Sequence, residues 1–422
     1  MNRFTISGNS HAQYSSSSQP ADSGRSQRTL IPRSMTPPPF SRLAIGSSIQ
    51  RPQTSDPTSA TGSRWRALLP WNRTTAAGQG ARNFTAMSAI GEQTGFEAAT
   101  QQGAQIQLAG YLLARHLDQR PIEPTDIPRL KRMARSVQRT RAALPFGRDN
   151  IKSDVIATGG DSLVRTTAGY GVYTQFAKGD EREKLLTWAA ASKTFGAGNC
   201  TEHSLLTALD RADDLTDNET VQVVTSHSMN HHWAISTPGQ QGQRAIVADA
   251  WMDGPPVMAV DASPRTYDSV LFEINKKNAQ TTSEQYKAKL NAANAKLVPR
   301  VPEFLRHAVA PGAVQEKLRE IAESRRLPAG MDEPQSAVSR EFADRARSAM
   351  RTTREHNRQH LARASAVAAG LDEAAAAKSV DMVINAAWRL DAITTSHVIP
   401  AASDHARPSA SGAGAASRVL SR

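Results

Sequence analysis

The sequence predicts an α+β protein, with helices on both sides of a short antiparallel sheet. Apolar residues recur at helical spacing before residue 212 and again after residue 283. Between these regions lie four short runs rich in Val, Ile and Thr, separated by turn residues such as Asn, Gly and Pro. Consecutive short strands joined by tight turns predict an antiparallel meander. The four predicted strands are Thr220–His227, His231–Thr237, Arg244–Trp251 and Pro256–Asp261.

The helices before the sheet are predicted from their spacing and their first turns. IQLAGYLLARHLDQR, from Ile106, has a helical apolar stripe, and Thr125 or Asp126 caps a second helix with Pro128 in its first turn. The Arg and Lys residues of this second helix fall opposite its apolar stripe and are expected to be solvated. From Asp180, DEREKLLTWAAASK has acidic residues in the first turn, which suit the helix dipole.

Helical patterns return after the sheet. They are SEQYKAKLNAANAKL, AVQEKLREIAESRRL, a long Arg-rich segment over 336–369 and DEAAAAKSVDMVINAAWRL. Five regions follow from these patterns. Residues 1–90 form a disordered leader, 91–180 a helical N-terminal part, 181–275 the sheet-containing core, 276–395 a C-terminal helical region and 396–422 a disordered tail.

Charge and composition argue against a nucleic-acid-binding protein. The net charge is +12, but the first 90 residues hold ten Arg, two Asp and no Lys or Glu, and so carry +8 of it. This excess lies in a Ser-, Pro- and Gln-rich stretch without apolar periodicity, which predicts a solvated arm rather than a folded basic face. The stretch resembles the leader of a bacterial protein that is exported unfolded. No run is apolar enough to cross a bilayer, and Asn2 excludes N-myristoylation, so no stable membrane anchor is expected.

The sole cysteine, Cys200, follows the loop Gly196-Ala197-Gly198-Asn199 at the expected start of a helix. Only the thiolate is a good nucleophile, and a helix N-terminus and a nearby imidazolium both lower the pKa of a thiol. The free N–H groups of the first turn could also hold an oxyanion. A buried inert thiol is the usual role of a lone cysteine, so the assignment depends on its partners.

The predicted partners of Cys200 lie on the next strands. His231 and His232 are adjacent, and side chains alternate along a strand, so only one is expected to face the helix. Trp233 needs burial and shares a face with His231, which makes His231 the predicted base and places His232 on the other face. Asp249 closes the following apolar strand, where it could orient the imidazole. Cys200, His231 and Asp249 form the predicted catalytic triad.

Other residues near the cysteine have weaker assignments. Asn199 is either a helix cap alone or also an oxyanion donor, Glu202 caps the turn or supports the site, and Trp233 supports it by packing. His203 is a rival imidazole but is expected to point aside. No metal is predicted, since His231 and His232 are expected to oppose each other on a strand. No phosphate-binding or dinucleotide fingerprint occurs, and no cofactor is predicted.

The segments GNCTEH, HHWAIS and VADAW resemble the HopX/AvrPphE family of type III effectors from plant-pathogenic bacteria. More broadly, Cys at a helix start, then His-x-Trp, then Asp after an apolar strand, is similar to the transglutaminase-like branch of the papain-type cysteine enzymes. The detailed likeness covers about 60 residues. It implies a papain/transglutaminase-like core and a Cys-His-Asp triad on Cys200, His231 and Asp249.

The resemblance also implies a destination and partners. The type III secretion machinery would recognise residues 1–90 and secrete the chain, with a bacterial chaperone as a further partner of the same residues. The secreted protein would act in the cytoplasm of a host plant cell. Host proteins would be its substrates, and plant immunity would be altered. Hydrolysis, deamidation and crosslinking share the triad and stay open. A non-catalytic effector that binds host proteins through its C-terminal helices, with a vestigial triad, is the alternative.

Overall fold

A computed structural model describes residues 96–239, 244–323, 331–333 and 335–392, all within one compact unit. The predicted leader and tail lie outside these residues. The helices before the sheet are α1 Phe96–Leu117, α2 Ile127–Ala143, α3 Lys152–Ala157, α4 Asp161–Phe176, α5 Glu181–Phe195 and α6 Cys200–Ala212. The strands are β1 Glu219–Ser226, β2 His231–Pro238, β3 Ile246–Ala248, β4 Val257–Met258 and β5 Ser269–Asn275, with a 3-10 turn at Ala259–Asp261. After the sheet come α7 Ala279–Leu297, a 3-10 turn Val298–Arg300, α8 Val301–Ala308, α9 Ala313–Glu323, α10 Arg340–Thr352, α11 Glu355–Ala369, α12 Glu373–Lys378 and α13 Val380–Trp388.

The α+β class and the antiparallel sheet are confirmed. The strand order is β4-β3-β2-β1-β5, and each neighbouring pair is antiparallel. The sequence pattern missed β5, in which exposed and buried positions alternate irregularly. In the described residues the long helix predicted over 336–369 is two helices: α10 ends at Thr352, and the extended Arg354 precedes α11.

Helices cover both faces of the sheet. On one face Val221 and Val223 of β1 pack with Leu205 and Leu209 of α6 in a core that also includes residues of α5 and α7. On the other face Trp233 and neighbouring strand residues pack with α1, α2 and the C-terminal helices. The helix α1 itself contacts α10, α11 and α13. No helix among the described residues is long and apolar enough to cross a membrane.

The basic face predicted to be solvated on α2 is partly buried. Arg129 pairs with Asp126 and donates to the carbonyl oxygen of Ser236, so it fastens α2 to the end of β2. Arg141 donates to the carbonyl oxygens of Ala250, Met252 and Gly254. The prediction was wrong for these residues because apolar periodicity cannot reveal backbone carbonyls that a guanidinium could satisfy.

Candidate active site

Cys200 is the first residue of α6, as the sequence predicted. Gly196 ends α5 with φ 75°, a left-handed conformation that glycine adopts readily. A side chain at Gly198 would collide with Glu202, since an added Cβ would lie 2.6 Å from the Cβ of Glu202. The loop is also bound to the segment before α3, because the N–H of Phe146 donates to Gly196 O over 2.9 Å and that of Gly198 to Gly147 O over 3.2 Å. These constraints fix where the thiol-bearing helix begins.

Asn199 and Glu202 hold the first turn of α6. Asn199 is the N-cap residue, and its backbone N–H donates to Glu202 Oε2 at 2.9 Å. Glu202 Oε1 accepts from Trp188 Nε1 of α5 at 3.0 Å. Burial raises the pKa of Glu202 to about 7. The capping role considered for Glu202 is therefore observed, with Trp188 as a partner that the sequence did not reveal.

The Asn199 amide also reaches the loop before α3. Its Nδ2 donates to Asp149 Oδ1 at 2.6 Å. Burial raises the pKa of Asp149 to about 6, and the charge of Cys200 acts in the same direction. This contact uses one N–H of the Asn199 amide and ties the N-cap of α6 to the loop before α3.

His231 and Asp249 form a buried pair. His231 Nε2 lies 2.5 Å from Asp249 Oδ2, and the two residues are 5% and 2% exposed. The other carboxylate oxygen, Asp249 Oδ1, accepts from the backbone N–H groups of Trp251 and Met252 at 3.1 and 3.0 Å. The carboxylate therefore has one oxygen anchored to the backbone and one directed at the imidazole.

Two indoles fix the plane of the His231 ring. Trp233 stacks on it with a centroid distance of 5.7 Å and an interplanar angle of 20°, and Trp251 lies at 5.0 Å. Trp233 is 1% exposed and shares the His231 face of β2, as predicted. The role of Trp251 was missed, although VADAW contains it.

The prediction that His232 lies away from the helix was wrong. His232 Nδ1 is 3.6 Å from Cys200 Sγ and 3.1 Å from Thr201 Oγ1. The pairing of β3 with β2 covers Ala234, Ile235 and Ser236, so the first residues of β2 precede it. Strict alternation is a weak guide at such a strand end, and both histidines reach the start of α6.

The electrostatics favour a thiolate–imidazolium pair. Burial opposes ionisation of Cys200, but hydrogen bonds and charge from His231 and His232 outweigh it and lower the thiol pKa to about 5. Burial opposes protonation of His231, but Asp249 and Cys200 outweigh it and raise the imidazole pKa to about 10. The same pairing, against burial, lowers the pKa of Asp249. Between these values the sulfur carries a negative charge and the ring a positive one.

His203 does not join the site as a base. It is fully buried, its Nδ1 contacts the carbonyl oxygen of Asn199 at 2.8 Å, and burial lowers its pKa to about 3. Its ring is neutral and serves the local structure, in line with the expectation that it points aside.

Arg141 at the end of α2 and Arg148 in the segment before α3 hold the loop that follows Asp249. Arg148, fully buried, pairs with Asp154 at 2.7 Å and Asp253 at 3.5 Å and donates to the carbonyl oxygen of Trp251. Arg141 binds three more carbonyl oxygens of the loop, as described above. Sequence reasoning missed both arginines because the loop carbonyls they bind carry no sequence signal.

Among the described residues, no group of three or more His, Cys, Asp or Glu could hold a metal ion. Comparisons of the chain with protein-family models, curated proteins and solved structures find no match.

Proposed function

We propose that the protein is a cysteine-dependent acyl-transfer enzyme with a papain/transglutaminase-like core and Cys200, His231 and Asp249 as its triad. The observation that carries the proposal is the buried His231–Asp249 pair, with Nε2 2.5 Å from Oδ2, coupled to a thiol at a helix N-terminus whose pKa His231 lowers. Buried ion pairs also occur for structural reasons. Here, however, the buried charges include the only thiol of the chain, Cys200, and the neighbouring histidines lower its pKa.

The first half-reaction begins from the charged pair. The Cys200 thiolate attacks a carboxamide or peptide carbonyl carbon, forming a C–S bond while the carbonyl electrons move to oxygen. First-turn N–H groups of an α-helix lack partners within the helix, and they stabilise this oxyanion together with the Asn199 amide. The oxyanion collapses, the C–N bond breaks, and the leaving amine takes the His231 proton. A thioester and a neutral imidazole remain.

The second half-reaction returns the enzyme to its resting state. His231 takes a proton from water or from a lysine amine as that nucleophile attacks the thioester carbon. The C–S bond breaks, and its electron pair returns to the sulfur. Asp249 holds the imidazole through Nε2 and leaves Nδ1 for the sulfur side. Water gives hydrolysis or deamidation, and an amine gives a crosslink.

We also propose that the enzyme is a type III effector that acts on host proteins in the plant cytoplasm. This part is supported by the resemblance of GNCTEH, HHWAIS and VADAW to the HopX/AvrPphE family and by the Ser-rich, Glu-free composition of residues 1–90. Type III secretion implies the secretion machinery, and in many cases a chaperone, as bacterial partners.

The test compares wild type, Cys200→Ala and His227→Ala in a plant cell extract. His227 is an exposed residue of the turn before β2 and is the matched control. Mass spectrometry would score new cleavage sites, Gln-to-Glu conversions and Lys crosslinks. We expect one class of product in wild type and His227→Ala and none in Cys200→Ala. The absence of any product in the extracts would favour the non-catalytic binder if wild type and Cys200→Ala also had equal effects on immune responses in plant cells.

A further inference from the structure

The thiol of Cys200 has two imidazole neighbours, whereas the proposed mechanism uses one. His231 is buried, held by Asp249 and stacked on Trp233. His232 is half-buried, and its Nδ1 lies near Thr201 Oγ1 and Cys200 Sγ. The two rings therefore approach the sulfur from different environments, one rigid and enclosed, the other partly open to solvent.

Next to a thiolate, the contacts of His232 Nδ1 favour the ring form that carries a proton on this nitrogen. A thiolate accepts hydrogen bonds and cannot donate one, so a ring nitrogen beside it must carry a proton. His232 Nδ1–H then faces both the sulfur at 3.6 Å and the Thr201 hydroxyl oxygen at 3.1 Å. Either acceptor can satisfy this N–H. When the sulfur attacks a carbonyl carbon, the Nδ1–H can therefore keep its hydrogen bond to the Thr201 hydroxyl.

The surroundings of the thiol explain the need for a second donor. Asp149 and Glu202 both interact unfavourably with the charge on Cys200. His231 on β2 also interacts with the charge of Cys200, and Asp249 after β3 and Asp332 interact with the charge of His231. Once the pH rises above about 7 both carboxyls are ionised, and their negative charge then opposes the charge on the sulfur, which a second hydrogen-bond donor would offset.

We propose that His232 is a second catalytic imidazole, which donates a hydrogen bond from Nδ1 to the Cys200 thiolate and stabilises it together with His231. This assignment rests on the proposed use of Cys200 as a nucleophile. Removing a hydrogen bond to a charged group reduces the thiolate equilibrium by about 10- to 100-fold.

The direct test is alkylation of Cys200 by iodoacetamide as a function of pH. The proteins compared are wild type, His231→Ala, His232→Ala, His232→Gln and the double Ala variant. We expect His232→Ala to raise the midpoint pH of the reaction by about one to two units, and His232→Gln to restore part of this shift through its amide donor. His231→Ala should keep a lower midpoint than the double variant, because one donor remains.

Thr201→Val is the matched control. It removes the competing acceptor and leaves the donor, so it should not raise the midpoint. Overlap of His232→Ala with wild type, or of His231→Ala with the double variant, would overturn the proposal.

A second measurement uses the wild-type protein and so does not depend on whether the variants fold. Nitrogen NMR of the His232 ring at neutral pH should show a proton on Nδ1 that is perturbed when Cys200 is alkylated. An unprotonated Nδ1 would overturn the proposal. Neither measurement uses a substrate. If His232→Ala shifts the alkylation midpoint but the wild-type enzyme modifies no plant protein, His232 is still a hydrogen-bond donor to the thiolate, and acyl transfer is rejected. Turnover without the shift would reject the role of His232 alone.

Discussion

Substituting Asn for Asp249 removes the charge that holds His231 protonated. The carboxylate oxygen is 2.5 Å from His231 Nε2, and both residues are almost fully buried. Two unit charges about 4 Å apart, at an effective dielectric constant of about 20, attract each other by about 4 kcal/mol. An interaction of that size corresponds to about three pKa units of the imidazole, in keeping with its rise from 6.5 to about 10.

Loss of the positive charge on His231 also destabilises the Cys200 thiolate, because the imidazolium and the thiolate stabilise each other. With a neutral imidazole, the thiol pKa should rise from about 5 to about 8, so that a few per cent of the thiolate remains at pH 6.5. The alkylation rate at that pH should fall by about 30-fold. Asn also loses one of the hydrogen bonds of Asp249, because its amide has one acceptor oxygen for Trp251, Met252 and His231 together.

The assay is the rate of Cys200 alkylation between pH 4 and 10, with thermal unfolding to verify the fold. Asp332→Asn is the control, since Asp332 interacts with the charge of His231 but is half-buried and outside the triad. It should shift the midpoint far less. A profile for Asp249→Asn that coincides with wild type would refute the link from carboxylate to sulfur.

Three further outcomes follow from residues that build the site. Arg148→Met leaves Asp154 buried without its paired guanidinium, and chemical denaturation should show a loss of about 3–5 kcal/mol; stability equal to wild type would contradict the clamp. Glu202 has a raised pKa, so its contribution to stability is complete below its unfolded pKa and is lost as pH rises towards 7; in Glu202→Gln the fall in unfolding free energy over that range should become shallower, leaving the share that comes from Asp149, and an unchanged slope would argue against a buried neutral acid. Gly196→Ala places a side chain at φ 75°. It should reduce the free energy of unfolding by about 1–2 kcal/mol and so lower the melting temperature; a melting temperature at or above that of wild type would count against a strained loop.

The elements that the sequence predicted well are those with strong local signals. Cys200 at a helix start could be read from Gly196, Gly198 and Asn199, and the shared face of His231 and Trp233 from strand alternation. These are properties of a few neighbouring residues.

The contacts that the sequence did not predict join distant segments. The reach of His232 depends on its position at a strand end, and the pairing of Asn199 with Asp149 joins residues 50 positions apart. Arg141 was expected on a solvated helix face and Arg148 was not singled out, yet both donate to carbonyl groups of the loop after β3. Irregular loops have no period, so neither their path nor their unpaired carbonyls can be read from spacing.

The proposed mechanism requires that Cys200, the only thiol of the chain, is ionised at neutral pH. Titration of the ultraviolet absorbance of the thiolate measures this directly in the wild-type protein, with Cys200→Ala as the blank. We expect a midpoint near pH 5. A midpoint at or above about 8.5, the value of an unperturbed cysteine, would contradict it.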